Sequence, residues 1–123
     1  MRKYLLIHAV VISFVFFLTP TIQAVSDIER EIEELKQAIR INPDDVDAHY
    51  NLGAAYGKLG MHEEAIEAYR QAIRINPYYI NAHYNLGLLY NLSNDKDSAL
   101  VQYEILKSLD TEWANRLFNE IYK

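Results

Sequence analysis

The sequence contains no cysteine and little glycine or proline, with four and three of these residues among 123. The lack of cysteine excludes disulfides, thiolate nucleophiles and cysteine-ligated zinc sites. Basic side chains are outnumbered: 12 Lys and Arg face 17 Asp and Glu, which gives a formal net charge of −5. This balance argues against sequence-independent binding of nucleic acid, which needs clustered cations. A chain of this length and composition is expected to form one small ordered domain.

The first 24 residues differ from the rest of the chain. Arg2 and Lys3 precede a 14-residue uncharged run from Leu5 to Leu18, and the first acidic residue is Asp27. A basic start followed by a short apolar run is typical of a secretory signal peptide. We therefore expect an exported protein, either periplasmic or secreted.

Pro20 is expected to break the helix of this segment, and cleavage is expected after Ala24. The chain that remains is more acidic than the full sequence, because Arg2 and Lys3 are lost with the segment. The alternative is an uncleaved membrane anchor, since tilting of the helix or thinning of the bilayer accommodates a mismatched span. Contact with a membrane is expected only in that case.

The strongest pattern is an internal repeat with a period of about 34 residues. The segment Gln37 to Pro43 recurs unchanged as Gln71 to Pro77, and Ala48 to Gly53 recurs as Ala82 to Gly87. Inside each unit, apolar residues recur at positions i, i+3, i+4 and i+7, a spacing typical of amphipathic helices. Each unit is therefore predicted to form two helices.

The turn between the two helices also follows from the sequence. Gly57 and Gly60 are expected to end the first helix, and Asn94 replaces Gly60 in the next unit. Asparagine tolerates the left-handed backbone conformation best after glycine, so the same turn is predicted in both units. Pro43 and Pro77 are expected to end the second helices, because proline has no backbone N–H to donate.

These residues resemble the tetratricopeptide repeat family, whose 34-residue unit carries W-x2-L-G-x2-Y, then A-x3-F, then P. His49 and His83 stand in place of the family's Trp. The resemblance implies an all-α fold, namely a short right-handed α-solenoid of antiparallel helix pairs with about 2.5 to 3 repeats. The residues that match the repeat signature are Leu52, Gly53, Tyr56, Ala65, Tyr69, Pro77, Leu86, Gly87, Tyr90, Ala99 and Tyr103.

The resemblance divides the chain into consecutive parts. Residues 1–24 are the signal peptide or anchor, and residues 25–43 form an N-terminal half-repeat helix. Two repeats cover residues 44–77 and 78–111, and residues 112–123 form a C-terminal capping helix. Beyond the signal segment, this organisation amounts to six helices.

The half-repeat helix has its own start signal. Ser26 and Glu29 have the spacing of a capping box, which predicts that the helix begins at Ser26. Glu31 lies one repeat length before Ala65, at a position where paired helices need a small side chain. We therefore expect no helix to pack on Glu31.

The first helices of successive units line a concave groove in this family, so the resemblance implies a protein or peptide partner in that groove. Tyr50, Tyr84 and Phe118 follow one another at the repeat interval and are expected to form an aromatic ladder along it. Aromatic rings give a large contact area at a small entropic cost. The alternative is that they only line the inner wall. The implied groove residues are Asp47, Tyr50, Ala54, Lys58, Asn81, Tyr84, Leu88, Asn91 and Phe118.

Some members of the family bind a C-terminal carboxylate through Lys and Asn side chains on these helices. This chain keeps Asn51 and Asn85, but Tyr50 and Ala54 replace the Lys and Asn of that clamp. A negatively charged chain terminus would also meet Asp47. A neutral, aromatic or basic segment is therefore the expected ligand.

The sequence shows no nucleophile elbow, no phosphate-binding glycine loop and no zinc-binding His-Glu motif. His49 and His83 could suggest a metal site, but a packed or hydrogen-bonded imidazole explains them more simply. We therefore expect no metal, no cofactor and no enzymatic activity, but an adaptor or scaffold that binds a protein partner. The alternative is a structural self-assembly subunit, a homo-oligomer formed through the unpaired N-terminal helix.

Overall fold

The computed structural model describes residues 2–123, and Met1 of the predicted signal segment lies outside this range. The described residues fold into helices joined by short turns, which confirms the predicted all-α class. The helices are α1 (Arg2–Ile41), α2 (Val46–Lys58), α3 (His62–Ile75), α4 (Ile80–Leu92), α5 (Lys96–Leu109) and α6 (Thr111–Ile121).

The helices pack as consecutive pairs. Helix α2 packs against α3, and α4 packs against α5, while α3 joins the two pairs through its contact with α4. The C-terminal part of α1 lies against α2, and α6 contacts both α4 and α5. Each helix contacts its neighbours in the chain, which is the quasi-linear packing of a short α-solenoid.

Three buried clusters form the core, one after another along the solenoid. The first joins α1 to the first pair, the second lies between the pairs, and the third lies under α6. Their buried members are Ile32, Leu52, Ala55 and Ala68; Ala65, Tyr69, Ala72, Ala82 and Leu86; and Ala99, Leu106, Ala114, Leu117 and Ile121. All of these residues follow Ile28, so a chain that begins at residue 25 keeps the complete core.

Helix α1 runs through the predicted break at Pro20, so that prediction is wrong. Proline removes the N–H that would bond to the carbonyl four residues earlier, here that of Phe16. The Thr19 hydroxyl donates to that Phe16 oxygen at 3.3 Å instead, which satisfies the freed acceptor. A helix can therefore continue past Pro20 without leaving this carbonyl unpaired.

The predicted capping box at Ser26 and Glu29 is also wrong, because the backbone is already helical there and has no free N–H groups to cap. Glu31 differs from its prediction as well. Its side chain is half-buried beside the end of α2, where Lys58 Nζ lies 3.7 Å from its carboxylate. The charge is tolerated because about half of the Glu31 side chain stays exposed to water, with a cation beside it.

Residues 2–26 form an exposed extension of α1. The stretch from Tyr4 to Ser26 carries no Asp, Glu, Lys or Arg. As a continuous helix it is about 34 Å long, which matches the roughly 30 Å hydrocarbon core of a bilayer. By length and composition α1 could cross a membrane, and a signal sequence meets the same criterion.

The turns inside the two pairs have the predicted left-handed residue. Gly60 has a φ of 72°, and Asn94, which replaces it in the second pair, has a φ of 63°. The Asp95 side chain then accepts from the Ser98 N–H at 3.1 Å and caps α5. The predicted equivalence of Gly60 and Asn94 is therefore confirmed.

The connection between α5 and α6 is shorter than the one between α3 and α4. Asp110 alone joins α5 to α6, and its carboxylate accepts from the N–H groups of Glu112 at 2.9 Å and Trp113 at 3.3 Å. Helix α6 consequently begins at Thr111, three positions earlier than the repeat interval counted from Ile80 would place it. The spacing of the earlier units therefore does not apply to side chains on α6.

Candidate functional site

The predicted groove residues of α2 and α4 range from half-buried to exposed. Tyr50, Ala54 and Tyr84 are half-buried, whereas Asp47 and Asn81 are exposed in the first turns of their helices. The hydrogen bonds and ring contacts of these residues divide them into two aromatic groups, one at each pair of helices.

The first aromatic group is built around Tyr50. Its ring centroid lies 5.6 Å from that of Tyr69 and 5.2 Å from that of Tyr79. The Asn85 amide donates to the hydroxyl oxygens of Tyr50 at 3.2 Å and Tyr69 at 3.3 Å. Burial raises the pKa of Tyr69 to about 12, so its phenol stays neutral at physiological pH. Asn85 therefore fixes two rings from two different helices.

Tyr79 links this group to the start of α2. Its hydroxyl donates to an Asp47 carboxylate oxygen at 2.7 Å, and burial together with this hydrogen bond raises the pKa of Tyr79 to about 12. The Asp47 carboxylate thus accepts a hydrogen bond from a neutral phenol. Lys58, the cation that the sequence placed in the groove, faces Glu31 instead.

The second aromatic group joins α4 to α6. The rings of Tyr84 and Trp113 meet edge to face with centroids 4.8 Å apart, and the Arg116 guanidinium lies 4.8 Å from the Trp113 ring centroid. Arg116 also pairs with Glu112 at 2.6 Å. Trp113 is therefore held by an aromatic edge and a stacked cation whose charge is balanced.

Phe118 does not continue a ladder from Tyr50 and Tyr84. Its ring pairs with Tyr103 at 5.4 Å and Tyr122 at 4.5 Å, and among the described residues no aromatic contact joins it to Tyr84. The short α5–α6 connection is the physical reason. Because α6 begins three positions earlier than the repeat interval predicts, Phe118 lies on the side of the helix that faces α5. The predicted three-ring ladder is wrong.

Two further predicted groove residues serve to attach α6. The Asn91 amide donates to the Glu120 carbonyl at 3.2 Å, and Leu88 packs against the core cluster under α6. Helix α6 packs along α4, because Ile80 and Tyr84 near the start of α4 pack against the same cluster. The half-exposed rings of Tyr50, Tyr79, Tyr84 and Trp113 lie at or near the starts of α2, α4 and α6.

The two repeated histidines bond to the proline that precedes their helix. His49 Nε2 lies 2.9 Å from the Pro43 carbonyl oxygen, and His83 Nε2 lies 2.8 Å from that of Pro77. His83 is only 3% exposed, and its Nδ1 lies 2.8 Å from the Gln102 side-chain oxygen. His83 is thus the packed, hydrogen-bonded imidazole that the sequence suggested.

Sequence reasoning missed Tyr79 and Trp113 as groove residues. Tyr79 follows the unit-ending Pro77 where the preceding unit has Asp45, so the repeat gave no reason to expect a ring there. Trp113 was not among the predicted groove residues, because one repeat length added to Tyr84 leads to Phe118. The signal that could have identified it was Thr111, which replaces the unit-ending proline and allows α6 to begin early.

The amino-acid sequence matches three repeat-family profiles. Residues 46–79 match a tetratricopeptide repeat, residues 29–60 match a TPR repeat, and residues 68–101 match a further tetratricopeptide repeat profile. Comparison with curated proteins finds no significant match.

Several solved structures have the same fold. A crystal structure of MamA is 32% identical with a TM-score of 0.68, and the match covers 75% of this chain and 54% of MamA. The TPR2B domain of yeast Sti1 in its complex with pHsp70 is 24% identical with a TM-score of 0.71, covering 79% and 82%. YrrB, described as a TPR protein with an unusual peptide-binding site, is 20% identical with a TM-score of 0.68, covering 78% and 50%.

The chain spans about half the length of the MamA and YrrB structures that it matches. The profile matches together extend from residue 29 to residue 101, which is more than half of the chain. The same residues form the helix pairs and the two left-handed turns described above. The chain therefore belongs to the tetratricopeptide repeat family.

Proposed function

We propose that this protein is an exported interaction module that binds a peptide or protein segment along the starts of α2, α4 and α6, and so acts as an adaptor or scaffold. The observation that carries this proposal is the pair of half-exposed aromatic groups, Tyr50 with Tyr79 and Tyr84 with Trp113. Rings fixed by neighbours offer contact area without a large loss of side-chain entropy on binding.

The similar structures support this proposal. Yeast Sti1 uses a domain of this fold in its complex with pHsp70, and YrrB is described as having a peptide-binding site. We propose recognition without turnover as the mechanism. Specificity then depends on the shape and polarity of the surface, not on reactive groups.

The proposal is tested by a double variant, Tyr50→Ala with Tyr84→Ala, in chains that begin at residue 25. Partners are captured from an extracytoplasmic extract, identified, purified and titrated against each chain. We expect the double variant to bind at least about 2 kcal/mol more weakly, the scale of an interface hot spot, with its helical content retained. Tyr122→Ala removes an exposed ring from the far end of α6 and should bind normally.

Normal binding by the double variant would show that another surface is used. A steep salt dependence of that binding would then indicate that a basic partner contacts the acidic segment of α1 between Asp27 and Glu34. Loss of binding by the Tyr122 control alone would place the contact at the end of α6.

We propose that the protein is exported, on the basis of its N-terminal segment. Cleavage of this segment would release the protein, and its retention would anchor the protein in the membrane. The apolar helix continues through Pro20 and is long enough to cross a bilayer, which suits an uncleaved anchor and a signal peptide alike. Mass spectrometry of the exported protein distinguishes the two fates. A mature N-terminus at Val25 indicates a signal peptide, and a retained Met1 indicates a tethered module.

A second candidate function is self-assembly through the unpaired face of α1. A largely apolar surface groove of about 500 Å³ lies between α1, α2 and α3, with Ile39, Leu52 and Ala68 among its lining residues. A second copy could cover this groove. Light scattering over a range of concentrations tests this function, and a monomer at all concentrations would exclude it.

A further inference from the structure

An uncharged surface pocket of about 400 Å³ lies where α4 and α6 begin, beside the loop after Pro77. Its lining residues are Asn76, Tyr78, Tyr79, Ile80, Asn81 and Trp113. The pocket adjoins both aromatic groups, since Tyr79 belongs to the first and Trp113 to the second. An inference about its ligand therefore rests on the function proposed above and specifies the class of segment that is bound.

Two of the three aromatic side chains that line the pocket, those of Tyr79 and Trp113, are held in place before any ligand arrives. Tyr79 is fixed by its hydrogen bond to Asp47, and Trp113 is fixed between Tyr84 and Arg116. The loop is fixed as well, because the Asn76 side-chain oxygen accepts from the Tyr78 N–H at 3.1 Å. Rigid walls of this kind reduce the entropic cost of binding.

The pocket has little charge to offer a ligand. The nearby ionic side chains already have partners: Asp47 accepts from Tyr79, and Arg116 pairs with Glu112. An acidic ligand side chain would therefore lose water without gaining a counter-ion, because Glu112 already balances the charge of Arg116. The polar groups that line the pocket are the amides of Asn76 and Asn81 and the phenols of Tyr78 and Tyr79, which are neutral.

We propose that this pocket binds a proline-rich, extended segment of a partner protein. Proline rings pack well on aromatic faces, and proline brings no backbone N–H that would need an acceptor in this pocket, whose surface is more polar than apolar. In the polyproline II conformation the carbonyl groups point outward and can accept from the Asn81 amide or the Tyr78 hydroxyl. Because that conformation exists before binding, little ordering is required.

The test uses a chain that begins at residue 25 and a terminally blocked oligoproline of about ten residues, which is roughly 31 Å long as polyproline II. Trp113 is the one tryptophan in the sequence, so its fluorescence reports directly on this pocket. We expect a saturable change in Trp113 fluorescence with oligoproline and none with a blocked Gly-Ser peptide of the same length. Equal responses to both peptides would overturn the proposal.

Two tyrosine variants provide the matched comparison, and both keep Trp113 as the reporter. Tyr78 lines the pocket and is 74% exposed, whereas Tyr122 lies at the other end of α6 and is 53% exposed. We expect Tyr78→Ala to raise the Kd for oligoproline about tenfold, the loss of one good ring contact. Tyr122→Ala should leave the Kd unchanged. Equal affinities for the two variants would refute the assignment to this pocket.

Two further outcomes would identify another occupant and overturn the proposal. Tighter binding of a peptide with an acidic C-terminus would show carboxylate recognition. A fluorescence change that follows protein concentration, together with a larger mass by light scattering, would show a second copy in the pocket. If natural partners still depend on Tyr50 and Tyr84 while oligoproline fails to bind, the ligand class is wrong and the interaction function stands.

Discussion

The close contact between α2 and α3 predicts opposite effects of adding one methyl group at two glycines of the same helix. A Cβ at Gly53 would lie 2.8 Å from the Cδ1 and Cε1 atoms of Tyr69, whereas a Cβ at Gly57 meets no described atom within 4 Å. Carbon atoms in favourable contact are roughly 3.5 to 4.0 Å apart, so Gly53→Ala needs a shift of roughly 0.7 Å or more.

The Tyr69 ring has little freedom to make that shift. It is only 4% exposed, it packs beside Tyr50, and its hydroxyl accepts from Asn85. Overpacking of this kind costs roughly 1 to 3 kcal/mol. The better helix propensity of alanine returns about 0.5 to 1 kcal/mol, so we expect Gly53→Ala to lower the free energy of unfolding by up to about 2.5 kcal/mol.

Gly57→Ala receives the same gain in propensity without the clash, and should raise the free energy of unfolding by about 0.5 to 1 kcal/mol. The assay is thermal and urea unfolding of chains that begin at residue 25, followed by circular dichroism. At roughly 4 to 8 °C per kcal/mol for a domain of this size, the two variants should differ in Tm by about 10 °C. Equal Tm values, or a stabilising Gly53→Ala, would show that the close packing of α2 on Tyr69 is absent.

Three other substitutions test separate features of the fold. Asn94→Ala should lower the free energy of unfolding by about 1 kcal/mol because Asn94 has a φ of 63°, whereas Asn94→Gly should not, and urea midpoints of both variants check this. Asp110→Ala should lower the free energy of unfolding by about 1 kcal/mol, because α6 loses its N-terminal cap, and substitution of the exposed Thr111 by Ala is the near-neutral control. Equal unfolding curves for the two variants would show that Asp110 does not stabilise α6. Burial raises the pKa of Tyr69 to about 12, while an unfolded phenol titrates near about 10. Between these values only the unfolded chain loses the proton, so the free energy of unfolding should fall as the pH rises from about 10 to 12. Urea midpoints measured across this range should show a smaller fall for Tyr69→Phe.

Most of the fold could be predicted because the two units repeat almost identical residues at a constant interval. Asn94 shows how far this reasoning extends, since a change of residue type at Gly60 still preserved the left-handed turn. The repeat fails where its interval changes. Asp110 ends α5 and also caps α6, so a single residue connects the two helices. The constant interval of the earlier units does not predict so short a connection.

The candidate site was harder to predict than the fold because it depends on that same connection. The sequence placed Phe118 on the groove by adding one repeat length to Tyr84, but the shift of α6 brings Trp113 to Tyr84 instead. Tyr79 was missed for a different reason, since its hydroxyl is held by Asp47, which lies in the preceding unit. A contact of that kind, between the residue before α4 and the first turn of α2, leaves no local pattern in the sequence.

The proposed binding surface does not depend on the fate of the N-terminal segment. Residues 2–26 are exposed along their length and belong to none of the three core clusters, so their removal takes no packing away from Tyr50, Tyr84 or Trp113. Retention of the segment has a different consequence. Because α1 continues without a break from the apolar stretch to Ile32 in the core, an anchored chain would hold the solenoid at the membrane surface through a helix and not through a flexible linker. The affinity for a soluble peptide should then be the same in both forms, and only the orientation of the bound partner relative to the bilayer would differ.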